Sequence, residues 1–417
     1  MEQHQILKIR KKEGLSRFAN SMIHQNMVND ETESLVLYAV DKKVAIQSFI
    51  GKDVDLTKVK EVAHHSKENP DFKSLPDAEE AGEVRFKGNF SEVTADASPG
   101  TRSVLIRESL DICKEQGFKA AGYLTTGFRE IGVENSLGVK RTGRTSFAEF
   151  AITVTGKGTG YATATSSNLS GIDLKALTDE AIDTAMKNVE PETIEPGNYK
   201  VFLEPLAVQE LIRFLSYIGL SGLFYDENRS CFSGMLDQEV ASPLLTLYDE
   251  PISDLPGVGF DVEGVARKRL VLIEQGTLKN VAYDSYSAHK VGKRSTGNAF
   301  MLQSPYGGFP FSISINPGKD RLPDMLASIN NGLLIKRFWY TRVVSPKEGI
   351  LTGMTRDGTF TIRDGKIGRP LKNLRFQISL PEILKNVKMV GDSVRLYEYG
   401  RFPHLLVDNF AITGMTG

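Results

Sequence analysis

Residues 353–367, GMTRDGTFTIRDGKI, decide the fold of the second half of the chain. The stretch holds two Asp-Gly pairs, Asp357-Gly358 and Asp364-Gly365, and β-prone residues flank them. Asp-Gly pairs favour tight turns in which φ is positive, as in two-residue hairpin loops. The stretch therefore predicts short antiparallel strands joined by tight turns.

The rest of the second half supports the same interpretation. Glu274-Gln275-Gly276 separates two further strand candidates, 269–273 and 278–283, and one clear helix is predicted over 205–218. The alternating helices that an all-parallel doubly wound sheet requires are missing from the pattern. We therefore expect a β-rich carboxy-terminal domain with few helices.

The first half has a mixed α and β pattern. Residues 118–167 predict an antiparallel meander, because short β-prone runs alternate with glycines. Helices are predicted at 14–26, 56–67, 103–116 and 173–188, a hairpin from 35–39 and 44–49, and an exposed loop at 69–89. The expected unit is an α/β amino-terminal domain.

A polar stretch separates the two halves. Residues 190–198, EPETIEPGN, are acidic and carry two prolines, which is typical of a linker. We therefore predict an α+β protein of two domains, 1–195 and 196–417.

Composition excludes several classes of protein. The 417 residues include 51 Lys+Arg and 52 Asp+Glu, so a net charge of -1 gives no reason to expect a nucleic-acid partner. With 40% hydrophobic residues the chain has enough apolar material for a core. It contains no apolar run of the roughly 18 residues that a membrane span needs, and its start lacks the apolar region of a signal peptide. Two distant cysteines, Cys113 and Cys231, argue against a disulfide framework and indicate the cytoplasm.

Taken alone, the residues form no convincing catalytic group. His64 and Glu68 have helical spacing but no third metal ligand nearby. Ser287 and His289 lie in a stretch interpreted as a polar loop, without a nucleophile elbow. The glycine groups at 292–297 and 349–353 lack the order of a phosphate-binding loop. A basic cluster is formed by Lys8, Arg10, Lys11 and Lys12. It could steer anions, although a solvent-exposed segment leading into the predicted helix explains it as well.

A series of motifs nevertheless occurs in a recognisable order from about residue 10 to the end. They are ENSLG (134–138), FSG (232–234), QEVAS (238–242), DVEG (261–264), LIEQG (272–276), STGNA (295–299), GMTRDGTF (353–360), PLKN (370–373), MVG (389–391) and VDN (407–409). In this order they resemble the TldD/PmbA family, also named for modulation of DNA gyrase. The resemblance implies an α/β amino-terminal domain followed by a β-rich carboxy-terminal domain.

The resemblance also implies an activity and a partner. One branch, TldD, is a cytoplasmic zinc metalloprotease that cuts unfolded or short peptides, with ligands from a helical HExxxH segment and a later cysteine. The other branch, TldE or PmbA, lacks these ligands and pairs with the first. Counting back from Phe232 places the histidine positions of this segment on Arg213 and Ile218 and the glutamate position on Phe214. No cysteine follows Cys231.

Zinc requires N, S or O donors at roughly 2.0–2.3 Å; Phe214 and Ile218 have none, and the cationic Arg213 would repel the metal. The resemblance therefore implies a TldE/PmbA-type subunit without a metal, cofactor or catalytic residue of its own. Its partner would be a TldD-type zinc protease in a heterodimer, or a second copy in a homodimer. Extended peptide would bind by strand addition. The candidate contact residues lie in family motifs: Tyr286, His289, Ser295, Thr296, Met354, Arg356 and Asp357.

Two alternatives remain open at this point. One is a zinc-independent peptidase that uses Ser287 and His289, or a pair of carboxylates. The other is a gyrase-associated or nucleic-acid-binding regulator, against which the near-neutral charge argues.

Overall fold

The computed structural model describes residues 2–51 and 53–415. An antiparallel six-stranded sheet occupies the first half, in the order β3-β2-β1-β4-β5-β6. Its strands are β1 (Glu2–Ala19), β2 (Met22–Val40), β3 (Lys43–Ile50), β4 (Lys119–Asn135), β5 (Lys140–Thr155) and β6 (Thr159–Ser166). The meander predicted over 118–167 is confirmed as β4, β5 and β6.

Helices cover this sheet. They are α1 (Leu56–His65), α2 (Ala78–Ala81), α3 (Glu92–Ala95), α4 (Pro99–Glu115) and α5 (Leu174–Lys187). Side chains of Asp55, Ser98 and Asp173 accept hydrogen bonds from backbone N–H groups at the starts of α1, α4 and α5, as N-caps do. Three of the predicted helices, 56–67, 103–116 and 173–188, are therefore confirmed within a few residues.

Two predictions for the first half are wrong. Residues 14–26 form no helix, because the chain turns at Asn20 and Ser21, both with positive φ, and returns as β2. The apolar residues that suggested a helix are divided between two paired strands, and the basic cluster lies on β1 rather than before a helix. The predicted loop at 69–89 is only partly exposed, since Phe72 and Leu75 are buried.

The second half contains a nine-stranded sheet and a small four-stranded sheet. The strands are β7 (Gly197–Leu203), β8 (Leu247–Asp249), β9 (Leu270–Glu274), β10 (Thr277–Leu278), β11 (Ile313–Ile315), β12 (Asn331–Ile335), β13 (Phe338–Ser345), β14 (Ile350–Thr355), β15 (Thr359–Arg363), β16 (Lys366–Pro370), β17 (Leu374–Ser379), β18 (Val387–Tyr397) and β19 (Gly400–Met415). The helices are α6 (Pro205–Ile218), α7 (Gly222–Asp226), α8 (Ser285–Lys290), α9 (Leu322–Ala327) and α10 (Leu380–Lys385). Together the two halves confirm the α+β fold class.

The large sheet has the order β13-β14-β17-β19-β7-β12-β15-β16, and β18 also pairs with β19. Its strands are antiparallel except β7 and β12, which run parallel. Helix α6, which occupies the predicted range 205–218, packs in the large core with residues of β7 and β19. Within residues 2–51 and 53–415, no helix is long and apolar enough to cross a membrane.

The two Asp-Gly pairs behave differently. Asp364 and Gly365 both have positive φ and join the paired strands β15 and β16, so this hairpin is confirmed. Asp357 and Gly358 also have positive φ, but they join β14 to β15, which lie in different parts of the sheet. For Asp357 and Gly358 the predicted tight turn is therefore confirmed, but the predicted hairpin is wrong. Gln275 and Gly276 turn between β9 and β10, although β10 is only two residues long.

The segment between α5 and β7, residues 188–196, is called the linker below. The Glu192 N–H donates to the carbonyl of Pro370 at 2.9 Å, and the Lys372 N–H donates to the carbonyl of Glu192 at 2.9 Å. The linker therefore contacts the chain at the end of the outer strand β16, where Glu192 forms a bridge with Leu371. The domain boundary at 195/196 stays a prediction.

Candidate functional site

Helix α6 and strand β13 line two neighbouring cavities at one end of the nine-stranded sheet. The cavity volumes are ≈ 790 Å³ and ≈ 350 Å³, and Thr341 of β13 lines both. The α6 residues of this α6–β13 groove are Leu206, Gln209, Glu210, Arg213, Phe214, Tyr217 and Ile218. A groove of this size can accommodate a peptide segment.

The amphipathic sequence of α6 explains its orientation. Pro205 occupies the first turn, where its missing N–H costs nothing. Val208, Leu211 and Leu215 are buried in the large core. Polar residues at the intervening positions, such as Gln209 and Glu210, then line the groove.

The three positions expected to hold zinc ligands all line this groove, and none carries a donor. The Arg213 guanidinium forms an ion pair with Glu210, with Nε 3.1 Å from Oε2, and lies 4.6 Å from the centre of the Phe214 ring. Phe214 and Ile218 are 6% and 1% exposed and pack in the apolar core. A cation, a phenyl ring and an alkyl group do not fit a zinc ion. Among the described residues, no three His, Cys, Asp or Glu side chains form a group that could hold a metal.

The tip of the β18–β19 hairpin contacts the same face of α6. The Tyr399 N–H donates to Oε1 of Gln209 at 3.3 Å, and the Tyr399 ring lies 5.9 Å from the Arg213 guanidinium. Burial, together with the nearby Glu149 carboxylate, raises the pKa of Glu398 above its usual value. The groove is therefore bordered by three elements: α6, β13 and this hairpin tip.

Strand β13 is an edge strand with an irregular backbone. Its one neighbour among the described strands is β14, and the register shifts between Trp339 and Arg342. Tyr340 in this bulge has φ 52°, a rare conformation for a bulky side chain, and is 61% exposed. Backbone strain of this kind concentrates at ligand-binding sites. The sequence signal for this edge, an aromatic run followed by β-branched residues without proline, was missed.

The candidate contact residues Met354, Arg356 and Asp357 surround the base of β13. Met354 lies opposite Trp339 in the β13–β14 ladder, and the Arg356 guanidinium lies 4.6 Å from the centre of the Trp339 ring. Asp357 is buried and accepts a hydrogen bond from Nε of Arg337 at 3.0 Å. These residues position the edge strand, and the Arg356 side chain is far more exposed than that of Asp357.

The hydroxyl of Thr341 is a second unusual feature of the edge. Its Oγ1 is buried and has no hydrogen-bond partner. A buried hydroxyl without a partner costs free energy, which a bound acceptor or donor would recover.

The other four candidates lie elsewhere, where α8 meets α2 and the 69–75 segment. Nε2 of His289 is 2.8 Å from Oε2 of Glu80, and Nδ1 is 3.1 Å from the carbonyl of Ser74. The Ser295 N–H donates to Glu80 at 3.0 Å, and the Tyr286 hydroxyl to Asn69 at 3.2 Å. Thr296 donates from its backbone N–H and its hydroxyl to the carbonyl of Tyr283. The contacts of Tyr286, His289 and Ser295 join the two halves of the chain, whereas those of Thr296 stay within the second half. We call the whole set the α8 joint.

Ser287 and His289 do not form a catalytic pair in this arrangement. Residues 285–290 form helix α8 rather than the polar loop predicted from sequence, since Asp284 caps the helix. The Ser287 hydroxyl hydrogen-bonds to Asp284, while both ring nitrogens of His289 are used in the α8 joint. The hydrogen bond that the His289 ring donates to Glu80 raises the pKa of His289, and both ring nitrogens face oxygen acceptors, an arrangement that favours the protonated ring.

Sequence reasoning also missed a group of buried acids beside the joint. Asp261 accepts backbone N–H bonds from Glu263, Val265 and Ala299 at 2.9–3.0 Å, and Glu263 accepts one from Ser285 at 2.8 Å. Burial raises the pKa of both carboxyl groups, and the neighbouring Asp284 raises that of Glu263 further. The DVEG motif (261–264) thus organises loops by accepting their N–H groups.

The fold and the groove together define a class of protein. Residues 196–414 match the family model described as the PmbA/TldA metallopeptidase C-terminal domain. The chain therefore belongs to the PmbA/TldD metallopeptidase family, which confirms the resemblance noted in the sequence.

Relatives identified by sequence agree. The chain is 29% identical over 225 residues to a metalloprotease TldD homolog of Buchnera aphidicola, covering 52% of this chain and 46% of that protein. It is 31% identical over 172 residues to a metalloprotease of Methanothermobacter thermautotrophicus, covering 40% and 37%. The chain thus spans less than half the length of these two relatives.

Solved structures match over nearly the whole chain. TldE from Thermococcus kodakarensis superimposes with a TM-score of 0.86 at 21% identity, covering 99% of this chain and 97% of that one. A Thermotoga maritima protein whose name includes "modulator of a DNA gyrase" superimposes with a TM-score of 0.85 at 17% identity, covering 99% and 96%. At these identities the likeness establishes the fold.

Proposed function

We propose that this chain is a metal-free subunit of the TldE/PmbA type, which holds extended peptide for a zinc-bearing TldD-type partner. The observation that carries the proposal is the chemistry of α6. At the positions where the active branch places two imidazoles and a carboxylate, this helix has Arg213, Phe214 and Ile218. The family is one of metallopeptidases, so a metal-free chain would depend on a partner for hydrolysis.

Peptide would be captured by strand addition at β13. An edge strand offers unpaired N–H and C=O groups, which bind an extended chain with little regard to its sequence. The exposed rings of Trp339 and Tyr340 would pack on the side chains of that peptide, and Thr341 would gain a partner for its hydroxyl. Of the seven candidate contact residues, Arg356 fits this role best, whereas those of the α8 joint fit a structural role.

Peptide capture can be tested by fluorescence anisotropy with a labelled unstructured peptide. We expect Trp339→Ala/Tyr340→Ala to weaken binding at least about tenfold, since two aromatic contacts are lost. The matched control is Ile367→Ala, which removes an exposed apolar side chain from the opposite edge strand β16. Equal affinity of the double variant and the control would contradict capture at β13.

Dependence on a partner is tested separately. The purified chain should not cleave the peptide alone, and cleavage should appear when a TldD-type protein is added and vanish with a chelator. The same mixture would show whether a heterodimer forms in preference to a homodimer, and fractionation of cells would test the proposed cytoplasmic location. Chelator-insensitive cleavage by the chain alone, lost in His289→Ala, would favour a zinc-independent peptidase instead.

A further inference from the structure

The largest of the cavities described lies in a different part of the molecule from the α6–β13 groove and shares no lining residue with it. Its volume is ≈ 810 Å³, within the usual range for small-molecule sites. It is bounded by strands β1, β4 and β5 and by the segments 84–87 and 258–260. Both halves of the chain thus contribute to it.

The charged groups around this cavity are unbalanced. Four cations line it, Lys8, Arg10, Lys87 and Arg144, against one carboxylate, Glu130. The two arginines have carboxylates nearby: Arg10 contacts Asp30 at 2.9 Å, and Arg144 lies 3.5 Å from Glu92.

The two lysines differ from the arginines. Among the described residues, no carboxylate oxygen lies within 4.0 Å of the ammonium nitrogen of Lys8 or Lys87, so neither forms an ion pair. Both side chains are exposed at the cavity. The cavity therefore keeps two ammonium groups without counter-charges, which a ligand could supply.

The remaining walls suit the body of an organic molecule. Val84, Phe86, Ile131, Val258 and Phe260 give the cavity an apolar lining. Gly132 on β4 leaves the strand surface open, because a Cβ added there would meet no atom nearer than the Arg141 carbonyl oxygen at 3.9 Å. Backbone φ at Gly132 is not in the left-handed region, so the space rather than the conformation distinguishes this glycine.

We propose that this cavity binds an organic dianion, a phosphate monoester or a dicarboxylate, that carries an apolar body. The ammonium groups of Lys8 and Lys87 would pair with the two negative charges, and the apolar walls would contact the aromatic or branched aliphatic part. Charge alone would attract inorganic phosphate weakly, and apolar contact alone would hold a neutral ring weakly. The combination gives affinity for a molecule that has both.

Isothermal titration calorimetry on the full chain tests the site with phenyl phosphate and phthalate as probes, and with inorganic phosphate and phenol as partial ligands. We expect at least one of the two dianions to bind with a Kd between about 10 μM and 1 mM, and both partial ligands to bind at least about tenfold more weakly. Binding of phenyl phosphate alone assigns a phosphate monoester, and binding of phthalate alone a dicarboxylate.

Variants establish where the probe binds. Lys8→Gln/Lys87→Gln should weaken binding at least about tenfold, and Gly132→Leu should block it by filling the cavity. Lys319→Gln/Lys385→Gln, which removes two exposed lysines elsewhere, is the matched control and should leave affinity unchanged. If Gly132→Leu does not fold, the affinity of Lys8→Gln/Lys87→Gln for the probe still tests the site. Absence of binding by either dianion up to about 10 mM, or unchanged affinity in Lys8→Gln/Lys87→Gln, overturns the proposal.

Discussion

The two edge strands of the nine-stranded sheet, β16 and β13, differ in the features that protect an edge from pairing with another chain. Strand β16, KIGRP, is five residues long, carries Lys366 and ends in Pro370, whose carbonyl is bonded to Glu192 of the linker. Strand β13, FWYTRVVS, is eight residues long, has no proline and carries exposed aromatic side chains. Lysine, proline and a covering segment protect an edge from pairing with other chains, and β13 lacks these devices.

The difference leaves the β13 edge available for pairing with another segment. An uncovered edge strand is an aggregation hazard, and strain at Tyr340 is an additional cost. The bulge in β13 limits open-ended pairing, because it interrupts the regular ladder. Such an edge is suited to bind one short segment, as the proposed capture of peptide requires.

The ion pairs at the two edges should differ most in their effect on stability. Asp357→Asn leaves the buried Arg337 guanidinium without its carboxylate, so we expect the free energy of unfolding to fall by about 3 kcal/mol. The matched change at the other edge, Glu192→Gln, affects the exposed partner of Arg369 and should cause no measurable change. Urea denaturation of both variants gives the comparison, and equal stability would show that β13 is not anchored as described.

The α8 joint provides a second covered surface on which to test the distinction. Glu80→Gln removes the charge that holds His289 and the Ser295 N–H, and we expect a loss of about 2 kcal/mol in the free energy of unfolding. The control is Glu79→Gln, whose exposed carboxylate pairs with the exposed Arg294, and it should unfold like the parent chain. Peptide affinity should stay unchanged in both variants. A large loss of peptide affinity in Glu80→Gln would indicate that the α8 joint contributes to peptide binding.

The contribution of this joint should also depend on pH. The hydrogen bond that His289 donates to Glu80 raises the pKa of His289 above 6.5, so its stabilisation is complete below pH 6.5 and is lost as pH rises through the folded pKa. Burial acts to raise the pKa of Glu80, but the bonds from His289 and Ser295 hold it below 4.5, so its contribution is lost only in more acidic solution. The stability difference between the parent chain and Glu80→Gln should therefore be largest between pH 4.5 and 6.5. A difference that grows from pH 6 to 9 would contradict the ion pair.

The smallest effect concerns backbone strain in the open edge. Because Tyr340 has positive φ, Tyr340→Gly should be more stable than Tyr340→Ala by about 0.5–1 kcal/mol. At Val344, an exposed residue of the same strand without positive φ, the order should reverse, with alanine more stable than glycine. Thermal denaturation of the two pairs of variants separates the cost of the positive φ at Tyr340 from the effect of losing a side chain.

Local chemistry was readable from the sequence, whereas long-range pairing was not. Both Asp-Gly pairs adopt positive φ as their residue types demand, yet the chain leaves Gly358 for a strand that pairs with β12 rather than β14. The position of β15 in the sheet depends on the parallel pairing of β7 with β12, and no local sequence pattern predicts that pairing. The false helix at 14–26 has the same origin, because a turn at Asn20 divides one apolar pattern between two strands.

One element of the candidate groove was predicted from the sequence. The helix over 205–218 and the lack of zinc donors at Arg213, Phe214 and Ile218 follow from residue types and their order. The role of β13 could not be inferred in the same way, because an edge exists only once all the other strands have been placed. The intramolecular partners in the α8 joint could not be inferred from local sequence either, since His289 and Ser74 lie 215 positions apart. A role of these residues in substrate or partner contact stays a prediction.

The position of the linker has a practical consequence for anyone who isolates the second half. A fragment that starts at 196 would lose Glu192 and with it the backbone bonds to Pro370 and Lys372. Pro370, at the end of the exposed edge strand β16, would then lose its backbone partner, and this edge would have one protection fewer against pairing with another copy. A fragment that starts before Glu190 keeps these bonds and is the better choice for crystallisation.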